Sequence, residues 1–231
     1  MNIQILHLLE GARAASGLTV IIDVFRAFSL ECYLYALGAE TIFPVDTLEK
    51  AYQYREKYPG SLLAGERKGK KCAGFDFGNS PSAIINFPIR GKKVIHTTSA
   101  GTQGIANAHG AEEIITGSLV NASAVAQYIR AKNPETVSLV CMGVGGRRRA
   151  KEDYLCAEYI KSLLKQQPFN ISRGISNLRY DGGTHFFDPD RQDVFPKEDF
   201  HLCVKYDQFP FVIRIRKNDA GDTCTEKIDV L

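Results

Sequence analysis

Short, continuous runs of apolar and β-branched residues punctuate the chain: TVIID ending at Asp23, SLLAG at Gly65, KVIHT at Thr97, EIITG at Gly117 and SLVCMG at Gly143. Runs this brief, without polar alternation, predict strands covered on both faces. Ile42–Val45 (IFPV) and Ile3–Leu9 predict two more. Between them lie patterns of helical period at Ser29–Leu37, Thr47–Tyr58, Gln103–Ala108, Leu119–Lys132 and Glu152–Lys165. In the last of these Tyr154, Leu155, Ile160, Leu163 and Leu164 form one apolar face. Strand and helix alternate, which predicts an α/β fold. It is a mainly parallel sheet flanked by helices on both faces, a three-layer sandwich with right-handed crossovers.

Past Phe169 the pattern changes. NLRYDGGTHFFDPDRQD is polar and irregular, PKEDFHLCVKYD has helical spacing, and FVIRIR and EKIDV predict a hairpin turning at Asn218–Gly221. A chain of 231 residues suits one domain. The expectation is therefore a single domain over residues 1–231, with 170–231 as an appended C-terminal lobe.

A hydrophobic share of 44% and a charged share of 24% exclude disordered and fibrous classes. The net charge of +3 is too small and too dispersed to imply a nucleic-acid protein by itself. The N-terminal MNIQILHLLEGARAASG has no basic lead, and no stretch reaches the length of a membrane span, so a cytoplasmic protein is expected. Six cysteines without close pairs predict reduced thiols rather than zinc or redox sites. A homodimer is allowed by the sequence and not specified by it.

The candidate chemistry sits where the strands end. In an open α/β sheet, ligands bind outside the carboxyl ends of the strands. The turns there read DVFR after Asp23, then GERKGKK, TTSAGT, GSLVNAS and GVGGRRRAKED. TTSAGT places hydroxyls before a helix start, so Ser99 and Thr102 either cap that helix or, with its free N–H groups, hold an anion such as phosphate. GSLVNAS repeats the arrangement with Ser118 and Asn121. Asp23, Glu66, Asp76, Glu152 and Asp153 form a dispersed oxygen-donor set that suits magnesium better than zinc. Two simpler readings stand beside this one. Glu152 and Asp153 suit the first turn of a helix, and Asp23 and Glu66 suit ion pairs with Arg26 and Arg67.

In the charged, glycine-rich stretch GERKGKKCAGFDFGNSP, Ser80 and Pro81 read as helix N-cap and first helical residue, while Asp76 and Asn79 have no such structural reason. Arg147–Arg149 read as a solvated turn or an anion-facing edge. His96 lies in an apolar strand and reads as core; His185 carries no assignment. The nucleophile, zinc-protease, P-loop and dinucleotide motifs are absent.

Taken in order, IDVFRAF, AGERKGKKCAGFDFGNSP, HTTSAGT, GSLVNASAVA and KEDYLCAEYI resemble the 2-phosphosulfolactate phosphatase family from about Val20 to Leu164. The resemblance implies a magnesium-dependent phosphatase acting on a small anionic phosphorylated substrate, 2-phosphosulfolactate, in a step toward coenzyme M. It also implies a site lined by Asp23, Arg26, Glu66, Asp76, Asn79, Thr97, Thr98, Asn121, Glu152 and Asp153. Phe28 and Ala100 depart from the family pattern, where a threonine and an asparagine are usual.

On this reading magnesium is held by some of Asp23, Glu66 and Asp76, and phosphorus is attacked by water directly, the favoured route, or first by Asp23 to give a phospho-aspartate. Arg26 and Arg67 offset the charge that develops, and the Thr97 and Asn121 turns meet the other anionic groups. The competing reading is a non-catalytic binder of a phosphorylated metabolite or RNA, which needs the cations and not the carboxylates.

Overall fold

The computed structural model describes residues 1–230. Its strands are β1 (Asn2–His7), β2 (Gly17–Ile22), β3 (Thr41–Pro44), β4 (Leu62–Arg67), β5 (Lys70–Lys71), β6 (Lys93–Thr97), β7 (Ala111–Gly117), β8 (Thr136–Cys141), β9 (Phe211–Lys217) and β10 (Thr223–Asp229). Its helices are α1 (Leu8–Ala14), α2 (Ala27–Ala36), α3 (Leu48–Lys57), α4 (Pro81–Ile84), α5 (Gly101–Asn107), α6 (Ala122–Lys132), α7 (Lys151–Leu164), α8 (Ile171–Leu178) and α9 (Lys197–Cys203). The α/β architecture expected from the sequence is present: sheets that are mostly parallel, with helices on their faces.

The strands divide between two sheets. Six follow the order β1-β8-β2-β7-β9-β10, and four follow β3-β6-β4-β5. β2 lies in the middle of the larger sheet, and every one of its residues is buried, which is why its sequence does not alternate with polar positions. Its side chains still alternate in direction. Val20 and Ile22 pack with Val125 of α6 and Ile160 of α7, while Ile21 packs on the other face with Ala12 of α1 and Ile105 of α5.

Helix α2 is apolar almost all round and buried from Ala27 to Tyr35. Ala27 and Phe28 join the core of the larger sheet, while Leu30 and Leu34 pack with Ile42, Leu62 and Val94 of the smaller one. On the outer face of the small sheet Phe43 stacks on Tyr58 of the segment after α3, at 4.4 Å between ring centroids. Ser80 and Pro81 open α4 as N-cap and first residue, as the sequence predicts.

The C-terminal hairpin also forms as expected, but it is part of the core rather than outside it. β9 pairs with β7 through Ile115↔Arg214 and Thr116↔Ile213. β10 then reaches the small sheet through Thr225, whose hydroxyl bonds Tyr35 Oη at 2.6 Å and accepts the Ile42 N–H at 3.2 Å. All six cysteines are free and buried. Among the described residues no helix is long and apolar enough to cross a membrane.

Ile213 is fully buried between α2 and the sheets. Ile213→Ala is therefore expected to cost about 2–5 kcal/mol in urea unfolding, within a single cooperative transition. A hairpin that was merely attached would lose its own signal and leave the main midpoint unchanged.

Candidate active site

Three carboxylates meet at the strand ends, and each is fixed by backbone N–H groups that the turns leave without a partner. Asp23, directly after β2, accepts the Gly101 N–H at 2.9 Å through Oδ2 and the Ala27 N–H at 3.4 Å through Oδ1. Asp153, in the first turn of α7, accepts the Val24 N–H at 2.8 Å and the Gly143 N–H at 2.7 Å. Glu66, near the end of β4, accepts the Ser99 N–H at 2.7 Å, the Gly69 N–H at 2.6 Å and the Ser99 hydroxyl at 3.2 Å. All three are buried. Glycine is required at position 101, where a Cβ would stand 2.9 Å from Phe28 Cζ and 3.0 Å from Asp23 Oδ2.

The acids lack matching cations. Burial, then Asp153, then Glu66 push the Asp23 carboxyl well above its ordinary range. Burial and then Glu152 push Asp153 up to about 8. Glu152 itself, buried near the Gly182 turn, is pushed up to about 7, mainly by burial, with Asp23 adding to it.

The ion pairs anticipated with the neighbouring arginines do not form among the described residues. Arg26 turns to Asp199 at 2.7 Å. Arg67 donates to its neighbour's carbonyl, Glu66 O, at 2.7 Å and to the Thr97 hydroxyl at 2.9 Å. Buried oxygen donors with excess negative charge suit a hard divalent cation. Among the described residues, no group of three His, Cys, Asp or Glu side chains is placed to hold a metal unaided, so water or ligand oxygens would have to complete its shell.

The remaining expected residues separate into groups. Asp76 is exposed and lies apart: the loop doubles back along β4, and its carboxylate accepts the Leu63 N–H at 2.8 Å and pairs with Arg55 at 2.9 Å. Asn79 is buried with its Oδ1 3.1 Å from His96 Nε2, and His96 Nδ1 lies 2.8 Å from Glu31 Oε1, so these three groups form an internal network.

Thr98 and Thr102 cap the start of α5 reciprocally. Thr98 Oγ1 accepts the Thr102 N–H at 3.1 Å, and Thr102 Oγ1 accepts the Thr98 N–H at 3.0 Å. The N–H groups of Ser99 and Gly101 in the TTSAGT turn are taken, in this structure, by the protein's own Glu66 and Asp23 carboxyls. Ser118 and Asn121 form a buried capping box, and Ser118 Oγ bonds Ser29 Oγ at 2.6 Å. Both therefore serve the fold here. Arg147–Arg149 form an exposed turn after β8. A cleft of about 1020 Å³ lies between α3, α5 and β9, and Thr102 is the one expected site residue on its wall.

Sequence reasoning missed Asp199, which is fully buried. Its position in the first turn of α9 reads as an ordinary helix-dipole acid. It also missed the aromatic wall. Phe195 and Phe186 lie 4.9 and 5.8 Å from the Arg26 guanidinium. His185 packs against both rings and is lowered to about 4 by burial and then by Arg26 and Arg191. No motif marks any of these positions.

The chain matches the family model of 2-phosphosulpholactate phosphatase over residues 4–179. It is 33% identical over 211 residues to a probable 2-phosphosulfolactate phosphatase of Caldanaerobacter subterraneus, covering 85% of this chain and 87% of that protein. A protein of the same description in Thermotoga maritima is 42% identical over 147 residues, 64% of this chain and 62% of its own. Another in Bacillus subtilis is 28% identical over 213 residues, 91% of this chain and 92% of its own.

The raised carboxyls predict an unusual pH profile. Between the ordinary carboxylate range, about pH 4, and about pH 8 the folded chain holds protons at Glu152 and Asp153 that the unfolded chain has released. The folded state is then favoured at the acid end of this window and loses that contribution as pH rises through it. In EDTA, Tm is expected to fall from pH 5 to pH 9. A flat or rising profile would show that these acids are compensated.

Proposed function

The chain belongs to the 2-phosphosulpholactate phosphatase family, and from that premise we propose that it is a magnesium-dependent phosphatase. Its substrate is a small, multiply anionic phosphate monoester, with 2-phosphosulfolactate the foremost candidate and sulfolactate and phosphate the products. The observation that carries this reading is the gathering of buried, cation-starved acids Asp23, Glu66 and Asp153 at the strand ends. A non-catalytic binder of anions has no use for them.

Asp23 and Glu66 would hold the magnesium; Asp76, paired with Arg55 on the outer face of the small sheet, is not proposed as a ligand. A bound magnesium ion supplies polarisation of a phosphoryl oxygen and a more acidic water. The protein's part is positioning. Backbone N–H groups hold the Asp23 and Glu66 carboxylates in fixed orientations, so little reorganisation is needed on binding. Arg67, half-buried beside Thr97, would present a guanidinium to the equatorial oxygens, and Arg26, buried behind the Gly69 turn that holds Glu66, would add positive charge. Attack of water on phosphorus breaks the ester P–O bond, and the leaving oxygen takes a proton to become the alcohol.

Purified protein should release phosphate from a panel of anionic monoesters with magnesium and stop doing so in EDTA. Binding of phosphorylated metabolites or RNA without turnover anywhere in the panel would instead select the binder.

The two kinds of charge around Glu66 should separate in titrations. Glu66→Gln is expected to raise the magnesium concentration needed for half-maximal rate. Arg67→Ala is expected to lower kcat/KM by about ten- to a hundredfold at unchanged magnesium dependence, the size of one charge-assisted hydrogen bond. Wild-type kinetics in both variants would remove this loop from the mechanism.

A further inference from the structure

Arg26 is in effect a buried cation with 4% exposure, and the groups that fix it come from distant parts of the chain. Its Nη1 donates to Asp199 Oδ2 at 2.7 Å, and its Nη2 donates to the Gly69 carbonyl at 3.3 Å. Its Nε–H makes no hydrogen bond to another described residue. Asp199 divides its two oxygens between separate duties. While Oδ2 holds Arg26, Oδ1 accepts the Ser82 N–H at 2.9 Å, the Ser82 hydroxyl at 2.7 Å and the Ser80 hydroxyl at 3.0 Å. A carboxylate bound by this many donors at the start of α4 cannot swing, so the guanidinium it grips is fixed as well.

The chain of contacts continues into the site. Gly69 accepts from Arg26 through its carbonyl and donates to Glu66 through its N–H at 2.6 Å. Gly69 has φ +81°, and a Cβ there would stand 2.4 Å from Phe195 Cζ, so the same aromatic ring that covers Arg26 also seats this turn.

We propose that Asp199, carried by α9 past the family-matched stretch, is the positioning residue of Arg26 and, through Gly69, of the turn that holds Glu66. The inference rests on the phosphatase reading only in giving Arg26 a phosphoryl group to meet. Once both charges are buried, each depends on the other, and a loss at Asp199 is a loss of Arg26 geometry.

The test compares wild type, Arg26→Met, Asp199→Asn and the double variant Arg26→Met/Asp199→Asn. The readouts are calorimetric titration with inorganic phosphate in magnesium buffer, phosphate release from an anionic monoester, and Tm. Each single variant is expected to lose about ten- to a hundredfold in phosphate affinity and in kcat/KM. The double variant should be no worse than Arg26→Met, because nothing remains for Asp199 to position. Losses that multiply in the double variant, or a folded Asp199→Asn that behaves as wild type, overturn the proposal.

If Asp199→Asn fails to fold, Ser82→Ala decides the question, since it keeps the ion pair and loosens only the Oδ1 anchor. A few-fold loss in the wild-type background that disappears in Arg26→Met supports the proposal, and equal losses in both overturn it. Phosphate binding with no ester turnover would remove the phosphatase reading while the binding comparison still judges Asp199. A wild type that does neither would remove both.

Discussion

The fold and the site depend on one kind of interaction: buried carboxylates that take the N–H groups left over where strands stop and helices begin. Asp153 links the residue after Asp23 to the end of the β8 segment by accepting from Val24 and Gly143. Asp23 links β2 to the start of α5 through Gly101, and Glu66 links β4 to the same turn through Ser99. An unpartnered backbone donor in the interior costs about 1–3 kcal/mol, so these bonds stabilise the strand ends. The same bonds hold several carboxyls in one buried volume, and burial first, then their mutual repulsion, raises the Asp23, Asp153 and Glu152 carboxyls. Scaffold and chemistry are therefore one arrangement.

Holding two sheets around such a site requires elements that touch both. Helix α2 does so because it is apolar almost all round. It presents Phe28 to the larger sheet's core and Leu30 and Leu34 to the smaller sheet. Strand β10 does so through Thr225. The C-terminal segment adds the aromatic wall around Arg26 and the Asp199 carboxylate. The last quarter of the chain thus completes both the sheet and the site, although its sequence pattern is the least regular.

Phe28 and Ala100, which the sequence sets apart from the family pattern, share one environment. Both belong to one apolar cluster on the face of the larger sheet, and the Phe28 ring lies against Gly101, directly after Ala100. A ring and a methyl group fill adjoining space in which polar groups would need partners. The wall behind Asp23 is therefore apolar in this chain.

Apart from β5, α1 and α8, the amino-acid sequence by itself determined the strands, the order of strand and helix, the C-terminal hairpin and the turns where chemistry would gather. Those features are local: continuous burial leaves runs such as TVIID, and caps and turns leave glycine, serine and proline at fixed offsets. It also singled out Asp23, Glu66 and Asp153, because acids after strands and at helix starts stand out locally. Tertiary structure alone decided which acids meet. Asp76 and Glu66 occupy the same charged stretch, yet the loop's return along β4 sends Asp76 to Arg55 and leaves Glu66 inside. Thr102, Ser118 and Asn121 admitted both a capping and an anion-binding reading, and in the buried structure they act as caps. Asp199 was invisible for the same reason. A carboxylate in a helix's first turn looks alike whether it faces water or an arginine 173 residues away, and only the folded chain brings that arginine to it.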